Sequence, residues 1–179
     1  LVYVGGLSEI RGLREMMALL QSLPDYRLRL VGAWGSEALR RWAEQHPAWL
    51  RVEATGPLTH QEALEAIAPA RLGLCLLQPR PNYLEALPTK LFEYMALGIP
   101  VLASNFPLWR DIVEGADCGG VADPSKPDQV LAAAQTILKA RGQGRRGRIA
   151  VRDQYSWQAE SEHLVAFVDD LLALRVNSG

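Results

Sequence analysis

Six short apolar runs alternate with segments of helical period, and that alternation limits the possible folds more than any other feature. The runs lie at 1–4, 27–32, 50–54, 72–77, 100–103 and 119–122. Most have no polar face, as strands do when helices cover both sides of a parallel sheet. Between the first two runs, Leu13, Met16, Met17 and Leu20 follow the i, i+3, i+4, i+7 spacing of an amphipathic helix. Residues 38–45 form a second helical segment. Thr59 with Glu62 makes a capping box that opens a third, ending near Pro69. The fourth spans 88–97 and stops at Gly98. Helices over 107–114, 127–140 and 157–175 complete the set. Strand followed by helix throughout predicts an α/β fold, a Rossmann-like, doubly wound parallel sheet of about six strands with helices on both faces. Right-handed crossovers then bring the loops that leave the strands to one edge, where ligands bind.

Composition narrows the class. A chain of 179 residues suits one domain with a real core. With 49% hydrophobic and 22% charged residues it is not a disordered sequence. A net charge of −1 gives no support for a nucleic-acid partner. No apolar run approaches the roughly 20 residues that span a bilayer. Cys75 and Cys118 are far apart and lack metal-ligand spacing; Cys75 lies within an apolar run, so a buried small hydrophobe and a reduced cytosolic setting are expected. No signal peptide is expected. The first residues, Leu1-Val2-Tyr3-Val4, read as a strand already under way, which suggests a domain excised from a longer protein.

Chemistry concentrates in the predicted loops. After the first run, Gly5-Gly6-Leu7-Ser8-Glu9-Ile10-Arg11-Gly12 combines paired glycines, which admit a ligand close to the backbone, with an arginine and a helix start that suit a diphosphate. The spacing is not that of the dinucleotide fingerprint, and a plain tight turn reads equally well. The loops Gly32-Ala33-Trp34-Gly35-Ser36 and Gly56-Pro57-Leu58-Thr59-His60 fall on the same edge, and ordinary turns account for each taken singly. His60 reads as a surface residue of the cap, and His46 and His163 have no partner pattern. In 141–152 the arginines Arg141, Arg145, Arg146, Arg148 and Arg152 read as a solvated connecting helix in preference to an anion or nucleic-acid patch. The last helix carries an apolar stripe of Leu164, Phe167, Val168, Leu171 and Leu172, expected to cover the domain's own core or, in part, a neighbour.

The densest stretch is Asn82-Tyr-Leu-Glu-Ala-Leu-Pro-Thr-Lys-Leu-Phe-Glu-Tyr-Met-Ala-Leu-Gly98 and the strand after it. On a helix starting near Pro88, Thr89, Lys90 and Glu93 fall within roughly 100° of one another. Leu87, Leu91, Tyr94 and Met95 are expected to face the core. A carboxylate such as Glu93 accepts two hydrogen bonds from a vicinal diol, and Lys90 suits phosphate. Glu85 and Glu93, with seven residues between them, followed by Tyr-Met-Ala-Leu-Gly-Ile-Pro-Val-Leu-Ala, resemble the E-x7-E signature of retaining group 1 glycosyltransferases. The first loop, Leu30-Val31-Gly32, Gly56-Pro57-Leu58 and Tyr155-Ser156-Trp157 resemble the same family.

That resemblance implies the C-terminal, donor-binding domain of a GT-B enzyme, spanning residues 1–179, whose acceptor domain is absent. It implies a nucleoside-diphosphate sugar as donor substrate, with no cofactor and no metal, and an acceptor glycan or glycolipid held by the other domain. Glu93 would take the ribose hydroxyls. Glu85, with the amides of Ala86 and Leu87, would face the donor sugar. Gly5, Gly6, Arg11 and Lys90 would hold the diphosphate, and Leu58 would lie by the base. Glu85 and Arg11 are the catalytic candidates. The family's usual arginine after the first-loop glycine is replaced here by Gly6, which leaves Lys90 as a substitute cation or the donor bound differently. A cytoplasmic site, peripheral membrane contact of the full-length enzyme and a homodimer are further expectations. The alternative of another class is a non-catalytic α/β module for nucleotide or protein binding.

Overall fold

The computed structural model describes residues 1–176, with the side chains of residues 162, 163 and 170–176 outside the description. His163, Leu171 and Leu172 therefore lie outside the described residues. The elements run β1 (Val2–Val4), α1 (Leu13–Ser22), β2 (Leu28–Val31), α2 (Glu37–Glu44), β3 (Val52–Gly56), α3 (His60–Ile67) and β4 (Gly73–Cys75). Then follow α4 (Pro81–Leu84), α5 (Thr89–Leu97), β5 (Val101–Ser104), α6 (Pro107–Gly115), β6 (Gly119–Ala122), α7 (Pro127–Lys139), α8 (Gln143–Gln154) and α9 (Trp157–Val176). The six strands form one parallel sheet in the order β3-β2-β1-β4-β5-β6. This is the doubly wound, Rossmann-like arrangement that the alternation predicts.

Side chains alternate across the sheet, so each strand feeds two cores. Tyr3, Leu28, Leu30, Leu74 and Leu102 pack beneath α1, α2 and α7. Val2, Val31, Cys75, Val101 and Ala103 pack beneath α3, α5, α6 and α8. β3 is the exception, because its middle residues are exposed and Glu53 pairs with Arg29 at 2.9 Å along the sheet edge. A charged, polar edge discourages pairing with another chain.

Strand order reverses between β1 and β4, and there the ladder is short, with Val2 opposite Gly73 as its register pair. Beyond it a side chain spans the gap. The buried Tyr94 hydroxyl accepts from Val4 N–H (3.1 Å) and donates to Leu74 O (3.4 Å). Gly73 makes room for that ring, since a Cβ there would sit 2.4 Å from Tyr94 Cδ2. Diverging strand ends at a switch point leave a crevice at the carboxyl edge.

Two expectations from sequence change here. Leu164, Phe167 and Val168 of α9 are exposed at 52%, 60% and 43%, so the described part of the stripe does not cover the domain's core. Residues 141–152 do not serve only as a solvated connector. Gly144 and Gly147 let α8 close on α5 and its neighbours: a Cβ at Gly144 would meet Gly98 O at 1.9 Å, and one at Gly147 would meet Cys118 Cβ at 3.1 Å and Met95 Cα at 3.4 Å. Two arginines fasten α8 to its neighbours. Arg148 donates to Leu97 O (3.1 Å) at the end of α5, and Arg146 donates to Asp117 O (2.8 Å) and pairs with its carboxylate. Carbonyls at a helix C-terminus lack intrahelical partners, and arginine supplies one.

Candidate functional site

The crevice between β1 and β4 is bounded by the loop that follows each strand. After β1, Gly5 has φ of +128°, Ser8 precedes a 3₁₀ turn (Glu9–Arg11), and Gly12, at φ of +84°, admits the chain into α1. A side chain at Gly12 would collide with Leu76 O at 1.8 Å, so the β1 and β4 loops can touch only because this residue is glycine. The Gln78 amide closes the contact by donating to Ile10 O at 2.9 Å.

Lys90, in the first turn of α5, is the main departure from a plain turn. Its side chain is only 8% exposed, yet among the described residues no carboxylate pairs with it. Nζ lies 4.6 Å over the Tyr3 ring and donates to the Tyr3 hydroxyl at 3.4 Å. That hydroxyl donates in turn to Gly6 O at 2.9 Å. A Cβ on Gly5 would stand 3.1 Å from Lys90 Nζ and 3.5 Å from Arg11 Nη1, so both cations press against the glycine loop. Arg11 lies beside the hydroxyls of Tyr3 and Tyr83. Burial pushes the Lys90 ammonium below its ordinary value and the neighbouring Arg11 charge adds to this, while Glu93 opposes it. Burial also pushes the Tyr3 phenol up to about 12, so it stays a neutral hydroxyl. The Gly5 amide is spent on Val31 O at 2.8 Å, while among the described residues no backbone carbonyl accepts from the Gly6 amide. Two adjacent cations beside that amide form a site electrostatically suited to an anion.

One turn further along α5, Glu93 is one quarter exposed, and His60 Nδ1 stands 3.8 Å from its Oε1. His60 opens α3, behind the Thr59–Glu62 capping box, whose reciprocal bonds measure 3.4 and 2.9 Å. The β3 loop thus reaches the carboxylate, and Leu58, 37% exposed, lies on that same loop. The third loop contributes less. A Cβ at Gly32 would strike Gly5 O at 2.0 Å and one at Gly35 would meet Leu7 O at 2.9 Å, while Ser36 caps α2 through the Leu39 amide. Its glycines serve close packing against the first loop.

Glu85, Ala86 and Leu87 lie between α4 and α5 and are all exposed. Leu87, expected to face the core, is 49% exposed, because it precedes α5 and is not in register with Leu91, Tyr94 and Met95, which are buried. The Trp109 indole N–H on α6 donates to Ala86 O at 2.7 Å. At the other end of the segment the buried Ser104 hydroxyl donates to Leu77 O at 2.7 Å. The structure thus brings together Gly5, Gly6, Arg11 and Lys90 in one contact group, and places Glu93 next to it on α5. Glu85 to Leu87 form a separate rim. Sequence reasoning missed Tyr3, Tyr83, His60 and Trp109; only His60 carried a signal, from its place directly after a cap in an edge loop.

The family model for group 1 glycosyl transferases matches residues 1–153. A search of curated proteins found no match. Among solved structures, the chain is similar to sucrose-phosphate synthase from Thermosynechococcus elongatus, with 24% identity over 97% of this chain and 45% of that one, and a TM-score of 0.80. It is also similar to HepE from Anabaena, solved in complex with UDP, with 16% identity, 94% and 48% coverage and a TM-score of 0.78. A third is the C-terminal domain of a group 1 family protein, LpcC, from Francisella tularensis, with 15% identity, 87% and 85% coverage and a TM-score of 0.69. The chain spans a little under half the length of the first two. At these identities the likeness establishes the fold.

Proposed function

The chain belongs to the group 1 glycosyl transferases, and on that premise we propose that it is the donor-binding half of a two-domain hexosyltransferase. The enzyme would move a hexosyl unit from a nucleoside-diphosphate sugar to an acceptor glycan or glycolipid, with retention and without a metal. One observation carries the reading: a buried lysine and an arginine meet at a glycine loop on the ligand edge of the sheet. Buried cations are costly without an anion, and a diphosphate supplies one. Neighbouring structures give support, since HepE has been solved with UDP and with UDP-glucose.

In this reading Arg11, Lys90 and the Gly6 amide hold the diphosphate against Gly5, whose own amide is spent on Val31 O, and stabilise its charge as it departs. Lys90 stands in for the cation that Gly6 does not provide. Glu93 accepts both hydroxyls of the ribose, and Leu58 lies by the base. Glu85, Ala86 and Leu87 face the donor sugar, with Glu85 and Arg11 acting nearest the bond that breaks. Acceptor groups come from the other domain, and the full-length enzyme works in the cytoplasm, in contact with a membrane surface through its acceptor. No helix among the described residues is long and apolar enough to cross that membrane.

Calorimetric titration with uridine and guanosine diphosphates tests the assignment. One of them is expected to bind, and Glu93→Ala is expected to weaken it about tenfold or more by removing a charged acceptor of two hydrogen bonds. No binding of either at millimolar concentration, or an unchanged affinity in Glu93→Ala, would falsify the donor site. The rival reading, a non-catalytic α/β module, rests on Gly6. It predicts nucleotide binding without transfer even when the chain is joined to its acceptor domain.

A further inference from the structure

We infer that Trp109 is a positioning residue that aims the Leu87 backbone amide at the part of the donor beyond its first phosphate. The inference rests on the donor-site reading above. Trp109 is fully buried in α6, and its ring packs against Phe106 with centroids 4.6 Å apart and planes tilted by 57°. From there its indole N–H reaches across 23 residues to Ala86 O at 2.7 Å. Ala86 is exposed, so this bond joins the rigid core to an outer loop. A trans peptide unit places its carbonyl oxygen and the following N–H on opposite sides, and every described peptide bond is trans. Holding Ala86 O inward therefore turns the Leu87 N–H outward, away from α6. Among the described residues no backbone carbonyl accepts from that amide.

The surroundings suit such a role. The segment has a second anchor at Leu77, through Ser104, and a third at Gln78, through Ile10. Trp109 is the restraint next to the start of α5, where Lys90 sits. An amide held in place before the ligand arrives loses little entropy on binding. Indole is suited to this because it brings a single donor, and its ring is locked by the core on which it packs.

The test is replacement of Trp109 by phenylalanine, and separately by benzothienylalanine, which keeps the indole's shape while sulfur replaces the N–H. Each variant is titrated with uridine diphosphate glucose and uridine monophosphate, or guanosine diphosphate mannose and guanosine monophosphate if wild type prefers guanosine. The expected result is about tenfold weaker binding of the nucleotide sugar, with monophosphate affinity within about twofold of wild type. Amide hydrogen exchange across residues 85–87 in the unliganded protein is expected to quicken in both variants. Equal losses for both ligands, or no loss for either, would overturn the role of Trp109 and leave the donor site standing. Failure of wild type to bind any of these ligands would remove the donor site itself, and this role with it.

Discussion

Lys90 concentrates the tension of this chain in one side chain. Burial, with Arg11 beside it, lowers its ammonium below the ordinary 10.5. In the unfolded chain it keeps its proton up to the ordinary value, so between the two values the unfolded state binds more protons. Stability therefore rises with pH across that window, and below it the charged group is a standing cost. Lys90→Met is expected to raise the urea midpoint at pH 7, with the difference shrinking towards pH 10.5. The same change should weaken diphosphate binding at least about tenfold. In wild type the ligand's charge restores the ammonium, so affinity should decline as pH rises through the window and binding should take up protons. Titrations in buffers of different ionisation enthalpy read this directly. The two thiols behave in the opposite, inert way: burial pushes Cys75 up to about 12 and Cys118 to about 11. Both should resist alkylation in the native state, in keeping with the expectation that Cys75 is a small buried hydrophobe.

At the scale of elements, the close contact of α5 and α8 shows how glycine placement carries structural information that composition hides. Five arginines among glycines look like a surface helix. Gly144 and Gly147 turn one side of it into a packing face, and Arg146 and Arg148 spend their donors on carbonyls. Gly144→Ala would force a methyl onto Gly98 O and should cost about 1–3 kcal/mol by chemical denaturation. Gly115→Ala is the control, because nothing lies within 4 Å of its added carbon. It should change stability by about 0.5 kcal/mol or less. Because Gly98, at φ of +73°, ends α5 in this contact, loosening α8 should also lower nucleotide affinity through Lys90 and Glu93. Caps and stops were legible in the chain: the Thr59–Glu62 box and the Gly98 terminus stand where local rules place them. Leu87 shares the helical spacing of Leu91, Tyr94 and Met95 but lies two residues before Thr89, where α5 begins, with the extended Pro88 between them.

For the whole molecule, most described side chains of α9 stand away from the core. Trp157 is 72% exposed, and Leu164 and Phe167 are more than half exposed. Replacing Leu164 and Phe167 by serine should shift the thermal midpoint by only a few degrees, of the size about 1 kcal/mol gives for a domain this large, and leave nucleotide affinity unchanged. A chain that spans a little under half of sucrose-phosphate synthase and HepE should also bind donor without transferring sugar until its acceptor domain is restored. Acceptor-dependent transfer at ordinary rates by the isolated chain would sink that expectation. Sequence alone determined the sheet: continuous apolar runs, helical spacing, glycine stops and the E-x7-E stretch are local patterns, and local physics enforces them. It also singled out Gly5, Gly6, Arg11, Lys90 and Glu93 at one edge of the sheet, but not Tyr3, Tyr83 or Trp109 beside them. Only the tertiary structure decided which of them meet. The Lys90 contact with Tyr3 joins residues 87 apart, the Trp109 bond to Ala86 crosses two elements, and the His60 approach to Glu93 links two helices. Such contacts depend on how helices seat against a twisted sheet, and no periodicity within a single segment encodes that.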